Sequence, residues 1–137
     1  MNISTKGRYG LRAILDLAEN YRDKPIAISA ISMRQNISEG YLEQLMIPMR
    51  KYGLVKSIRG AKGGYILARD PKDILVGEVF RALEGPLHIA SCASEISLES
   101  CAREEDCASK KLWHDLQKAI NGVLNSYTLS DLLKNDN

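Results

Sequence analysis

No apolar run in the chain approaches the ~20 residues that cross a bilayer, and the first twenty residues carry Lys6, Arg8, Arg12, Asp16 and Glu19 where an export signal would have its apolar core. A soluble, cytoplasmic protein with no membrane association is therefore expected. Cysteine is scarce as well. Three cysteines cannot all pair within one chain, which argues against a disulfide framework and favours metal binding or redox chemistry. No C-x-x-C pair and no cofactor cradle accompany them, so a redox enzyme is disfavoured and no catalysis is assigned. The glycines of segment 60–64 lack the G-x-x-x-x-G-K-[ST] spacing of a phosphate loop, which excludes a nucleotide site there. Internal repeats and low-complexity tracts are absent. At 137 residues and 45% hydrophobic content, the chain can bury one modest core with a helical extension, but not two enzyme-sized domains.

What is present is unevenly charged. The formal net charge is +2, yet residues 1–69 hold 12 Lys/Arg against 5 Asp/Glu, while residues 70–137 hold 7 against 12. The front half attracts anions and the back half does not.

Residues 38–67 explain the asymmetry. Leu42, Leu45, Met46 and Met49 recur at i, i+3, i+4, i+7, placing Gly40, Gln44 and Lys51 on the opposite face and Glu43 on the flank. Ser38 is a suitable N-cap and Gly53 a suitable left-handed stop. Pro48 predicts a bend, because an interior proline removes a backbone bond and crowds the carbonyl of Gln44. Upstream, Leu11, Ile14, Leu15 and Ala18 mark a first helix capped by Ser4 or Thr5 and ending near Arg22, and Ser29 is suited to cap a short second helix through Arg34. The turn at Asn36, Ile37 and Ser38 gives helix-turn-helix spacing. Segments 54–59 and 64–67 read as two strands around a glycine-rich tip.

The expected fold is mainly α with a small β-hairpin: a winged helix-turn-helix domain at 1–85, including a fourth helix carrying Val76, Val79, Phe80 and Leu83. A cysteine-containing loop follows at 86–108, then a dimerisation helix and tail at 109–137. The last segment is amphipathic through Leu112, Trp113, Leu116, Ile120, Val123, Leu124 and Tyr127, and a helix this long in so small a chain predicts a homodimer. A short terminal helix and a frayed polar tail complete it.

This pattern points to double-stranded DNA. Lys6, Arg8, Arg12, Lys51, Lys56, Arg59 and Lys62 are available to neutralise phosphates, which supplies affinity and salt dependence without reading sequence. Gln44 can pair bidentately with an adenine edge and Glu43 can accept from a cytosine amino group. Arg59, beside the glycine tip, is long enough to enter a narrow A·T-rich minor groove. Taken alone, these charges would suit any solvated face. Their coincidence with the helix-turn-helix spacing and the glycine hairpin favours DNA binding.

Cys92, Cys101 and Cys107 lie in an acidic segment with eight and then five residues between them. Soft thiolates suit iron-sulfur clusters and zinc alike, and this spacing divides the possibilities evenly among a cluster, zinc, and redox-active thiols. A fourth ligand is sought among His88, His114, Glu104, Glu105 and Asp106.

The segments STKGRYGLRAILDLA (4–18), YLEQL (41–45) and GLVKSIRGAKGGY (53–65), with a three-cysteine loop followed by Leu112 and Trp113, are the landmarks of one family. The chain resembles the iron-sulfur cluster regulators among bacterial transcription factors, which include nitric-oxide-sensing and cysteine-metabolism repressors. The resemblance spans nearly the whole chain. It implies a dimeric winged helix in which Glu43 and Gln44 contact bases, Arg59 enters the minor groove and the long helix carries the interface. It further implies a two-iron two-sulfur or four-iron four-sulfur cluster on Cys92, Cys101 and Cys107. The family's fourth ligand does not carry over: Lys110 stands where a histidine is expected, and Arg8 where some relatives use a carboxylate. The expected function is transcription regulation, as a repressor or an activator, switched by cluster assembly. The alternative is a cluster-free regulator of cysteine or sulfur metabolism controlled by a metabolic enzyme partner or by thiol oxidation.

Overall fold

The computed structural model describes residues 3–21, 24–90, 92–94 and 106–134. Helix α1 spans Thr5–Glu19, with Ser4 as N-cap accepting from the Gly7 amide at 2.9 Å. The same hydroxyl donates to Glu84, tying the start of α1 to the end of α4 (Val76–Glu84). These two helices pack closely because Gly7 and Gly10 face α4; a Cβ on Gly10 would overlap the Leu83 side chain, and one on Gly7 would meet Phe80. Ile14 and Ala18 reach the core as expected, whereas Leu11 and Leu15 are half-buried on its margin. The helix stops at Glu19, earlier than the expected Arg22, because the Asn20 side chain donates to the Asp16 carbonyl and the Asn20 and Tyr21 amides turn back to Leu17 and Ala18. Arg22 itself lies outside the described residues.

Helix α2 (Ile28–Gln35) also departs from expectation at its start. Ala27, not Ser29, occupies the cap position, and no side chain caps it. The reason is a backbone bridge: Ile26 exchanges two hydrogen bonds with Tyr65, 3.0 and 2.9 Å, so the chain is already oriented as it enters the helix. Asn36 then adopts a left-handed conformation, φ 54°, which turns the chain toward α3.

Helix α3 (Glu39–Lys51) is capped by Ser38, which accepts from the Tyr41 amide at 3.2 Å. Leu42, Leu45, Met46 and Met49 are all 0% exposed. Burial of one such side chain is worth about 2 kcal/mol, so the four together outweigh the ~3 kcal/mol cost of an interior proline. The helix accordingly runs through Pro48 without interruption. It ends in a Schellman motif: Gly53, φ 84°, donates to Arg50, and Leu54 donates to Met49. Leu54 is fully buried and leads straight into β1, so the end of α3 and the root of the wing are one hydrogen-bonded unit.

Strands β1 (Val55–Ile58) and β2 (Gly64–Leu67) pair antiparallel, Val55 opposite Leu67 and Ile58 opposite Gly64. Gly64 is required where it stands, because a Cβ there would strike the Ile26 carbonyl. A single 3-10 turn, Pro71–Asp73, connects the hairpin to α4. Glu78 in the first turn of α4 accepts from the Leu75 amide and from Arg69, both at 2.9 Å.

A cysteine-containing loop is expected at 86–108, of which residues 91 and 95–105 lie outside the described residues. Part of the segment is strand instead: β3 (His88–Ala90) and β4 (Ala93–Ser94) pair antiparallel with Cys92 in the turn, and both pack on α5 (Lys110–Leu124). Helix α6 (Leu129–Lys134) then returns to α1 and the 3-10 turn, and Leu129 is 0% exposed. Thr128 and Asp131 close a reciprocal cap on α6, at 2.9 and 3.0 Å. Residues 129–134 thus contribute to the core of the winged unit, although the sequence pattern groups them with the dimerisation helix.

One polar contact organises this core. Asp16, 2% exposed, accepts from Arg34 Nε at 2.9 Å, Arg34 Nη2 at 2.6 Å and Gln35 Nε2 at 3.0 Å. Burial pushes the Asp16 carboxyl up, but the bonds from Arg34 and Gln35 outweigh it and hold the group below its ordinary 3.8. A depressed carboxyl stabilises the fold above its unfolded value and loses that contribution as pH falls through the folded value. Asp16→Asn is therefore expected to lower unfolding free energy by about 2 to 4 kcal/mol at neutral pH, since it opposes an amide to a guanidinium. Denaturant titrations at pH 7 and below pH 4 check this: the gap between wild type and variant should narrow in acid.

Candidate nucleic-acid interface

The outer arc of α3 carries Gly40, Glu43, Gln44, Ile47 and Lys51, all exposed. This follows from the helical period: once the apolar stripe is committed to the core, these positions have nowhere to point but outward. The hairpin adds Lys56, Arg59 and Lys62, also exposed. Arg59 and Lys62 flank the tip, where Gly60 has φ 110° and the Gly63 amide closes the turn on the Gly60 carbonyl at 3.0 Å. Among the described residues, none of the side chains of Glu43, Gln44, Lys51, Lys56, Arg59 and Lys62 makes a hydrogen bond or ion pair within the chain. The arrangement leaves both a hydrogen-bonding helix face and a set of cations with no internal obligations. That is the electrostatic and geometric requirement for docking on a polyanion.

The expected phosphate contacts on α1 divide. Lys6 and Arg8 are exposed, with the Arg8 guanidinium 5.9 Å from the Tyr9 ring centroid. Arg12 is occupied: it donates to the Gln35 carbonyl and side chain and lies 5.2 Å from the Tyr9 centroid. It caps the C-terminal end of α2, where carbonyls have no helical partner. Tyr9 in turn meets Tyr41 of α3 edge-on at 6.0 Å. Arg12, Asp16, Arg34 and Gln35 are positioning residues that the sequence pattern did not reveal; the available signal was a carboxylate, Asp16, set inside the apolar register of α1.

Of the sulfur atoms, Cys92 and Cys107 are described and half-buried, and Cys101 lies outside the described residues, as do Glu104 and Glu105. Cys92 sits in the β3–β4 turn, and Cys107 lies three positions before α5. The Cys107 sulfur is 3.3 Å from Ser109 Oγ, which also accepts from the Trp113 indole at 3.1 Å. One thiol thus lies in the β3–β4 turn and the other just before α5, and the β3–β4 pair packs on α5. Their soft donor chemistry fits an iron-sulfur cluster or zinc. Among the described residues no group of three or more Cys, His, Asp or Glu side chains comes together for a metal ion. His88, His114 and Asp106 are exposed. No described helix is long and apolar enough to cross a membrane.

Comparison with known proteins places this geometry. The family model "Rrf2: Iron-dependent Transcriptional regulator" matches residues 3–135. The chain belongs to the Rrf2 family. This Rrf2 regulator is 45% identical over 132 residues to the HTH-type transcriptional regulator CymR of Bacillus subtilis, covering 96% of the chain and 89% of CymR. It is 42% identical over 137 residues to the HTH-type transcriptional regulator IscR of Photobacterium profundum, covering 100% and 78%. Among solved structures it is similar to B. subtilis CymR, named the global cysteine regulator, with TM-score 0.83 and 42% identity over 100% of this chain and 99% of that one. T. potens IscR follows a similar path, with TM-score 0.81 and 44% identity over 100% and 89%. These relatives are named as transcriptional regulators rather than enzymes, and transcription regulation through a winged helix-turn-helix is the function of this chain. On the geometry of α1, Arg12→Ala should cost about 1 kcal/mol of stability through the lost cap, whereas Lys6→Ala should cost nothing measurable; thermal melts of the two variants test the distinction.

Proposed function

We propose that this Rrf2 regulator binds an operator as a homodimer and that its grip on DNA is switched by an iron-sulfur cluster on Cys92, Cys101 and Cys107. Glu43 and Gln44 contact bases, Lys51, Lys56 and Lys62 hold phosphates, and Arg59 enters the minor groove. The observation that carries the DNA reading is the joint exposure of the outer arc of α3 and of the wing, whose cations and amide have no side-chain partner among the described residues. The homodimer rests on α5 and the residues just after it: Leu112, Ile120 and Val123 on the helix and Tyr127 beyond its end are 53%, 37%, 56% and 41% exposed, while the polar Gln117 of the same helix is buried. Leaving these side chains in water is unfavourable, and a second copy of the same helix covers them symmetrically.

A cluster, when bound, supplies redox- and iron-sensitive sulfur ligation. The chain's own contribution is placement: Cys92 is held by the β3–β4 turn and Cys107 by the approach to α5, so ligation of both would constrain two elements already in contact. Helix α5 also touches α4, which packs on α1 and α3. A coupling of ~1 to 3 kcal/mol, the usual allosteric range, changes operator affinity by roughly 5- to 150-fold.

The second reading is a cluster-free regulator of cysteine or sulfur metabolism, controlled by thiol oxidation or an enzyme partner. Lys110, the first residue of α5 and not a metal donor, favours it, as does the likeness to a regulator named for cysteine. Anaerobic purification with iron, sulfide and absorption measurements separates the two: a coloured protein with bound iron and sulfide supports the cluster, and a colourless one with neither overturns it.

Three outcomes are expected on DNA. Arg59→Ala should weaken operator binding about tenfold and reduce the slope of log affinity against log salt by about 1. Val123→Asp should shift sedimentation toward the monomer and lower operator affinity in parallel. Cys92→Ala should change operator affinity at least fivefold relative to the cluster-loaded protein; unchanged binding at every operator tested counts against a cluster switch.

A further inference from the structure

Two features of α3 are unexplained by the fold. Ile47 is 45% exposed, although the four core-facing apolar residues of the same helix are 0% exposed. It lies three and four residues beyond Gln44 and Glu43 and four before Lys51, so it shares their outer arc and sits between them on the helix surface. A polar residue there would be solvated without loss. Gly40 is the second feature. Glycine weakens a helix relative to alanine, yet a Cβ at Gly40 would meet nothing within 4 Å, and its backbone has no left-handed φ. Neither an apolar side chain nor the missing Cβ serves the isolated chain, and both lie on one face.

An external surface approaching α3 accounts for both. The major groove offers one apolar feature among its hydrogen-bonding edges, the C5-methyl of thymine. Glu43 and Gln44 are donor- and acceptor-directed, and only Ile47 on this arc can gain by excluding water from a methyl group. The geometry points to Ile47 as a specificity-determining residue that reads a thymine methyl in each half-site, with Gly40 allowing the first turn of α3 to come close to the duplex. This rests on α3 being the base-reading helix, as argued above.

The test begins with an operator selected from a random duplex pool by the full-length protein. Each thymine is then replaced by deoxyuridine, which removes only the methyl. One thymine per half-site should show a roughly three- to tenfold loss of wild-type affinity, the scale of one buried methyl contact. Ile47→Ala should lose a similar factor on the thymine operator and should no longer respond to the replacement. Ile47→Val, which keeps the β-branch, should retain part of the response and serves if the alanine variant melts early. Should Ile47→Ala and Ile47→Val both respond to every replacement as wild type does, or select the same consensus with unchanged affinity, the assignment is overturned. Parallel Glu43→Ala and Gln44→Ala selections separate the failures: altered consensus there with no Ile47 effect removes only this inference, whereas three unchanged consensus sequences remove α3 as the reading helix.

Discussion

A carboxylate shut away from water must be matched by donors or it will not stay ionised, and Asp16 is matched entirely by the last turn of α2. Arg34 and Gln35 supply three hydrogen bonds from one side, while Arg12 of α1 reaches across to the Gln35 carbonyl. These reciprocal contacts fix the end of α2 one residue before the left-handed Asn36, where the chain turns toward α3. The angle at which α3 leaves the core is therefore set by a charged clamp rather than by apolar packing alone. Hydrophobic contacts have no direction; the bidentate pair does.

The rest of the winged unit passes that orientation outward. Helix α3 ends in a Schellman motif whose last residue, Leu54, is the root of β1, so the wing inherits its placement from the helix. The Ile26–Tyr65 bridge anchors the other strand to the chain entering α2. Face and wing are consequently fixed at both ends to the elements that Asp16 holds.

A contiguous packing route joins the sulfur-bearing segment to this unit. The β3–β4 pair lies on α5, α5 touches α4, and α4 meets α1 through Gly7 and Gly10 and also meets α3. Close glycine-mediated contact between α1 and α4 leaves little room for one to move without the other. The return of α6 onto α1, through buried Leu129, closes a second connection from the far end of α5. Any displacement of α5 thus reaches the winged unit from two directions.

Much of this was legible in the residues. The stripe Leu42, Leu45, Met46 and Met49, the Ser38 cap, the Gly53 stop and the glycine hairpin all obey local rules, and the structure places each of them as those rules require. Local rules failed where distant groups intervened. Ser29 lost the α2 cap because a strand 39 residues away in the chain, at Tyr65, bound Ile26 first. The bond from Arg12 to the Gln35 carbonyl likewise has no signature in sequence. The amino-acid order alone determined which face of each helix is apolar and where the helix-turn-helix and wing lie, since periodicity and backbone stereochemistry are local. Only the tertiary structure decided which charges are left for a partner, because a side chain's availability depends on what the fold brings within hydrogen-bonding distance of it.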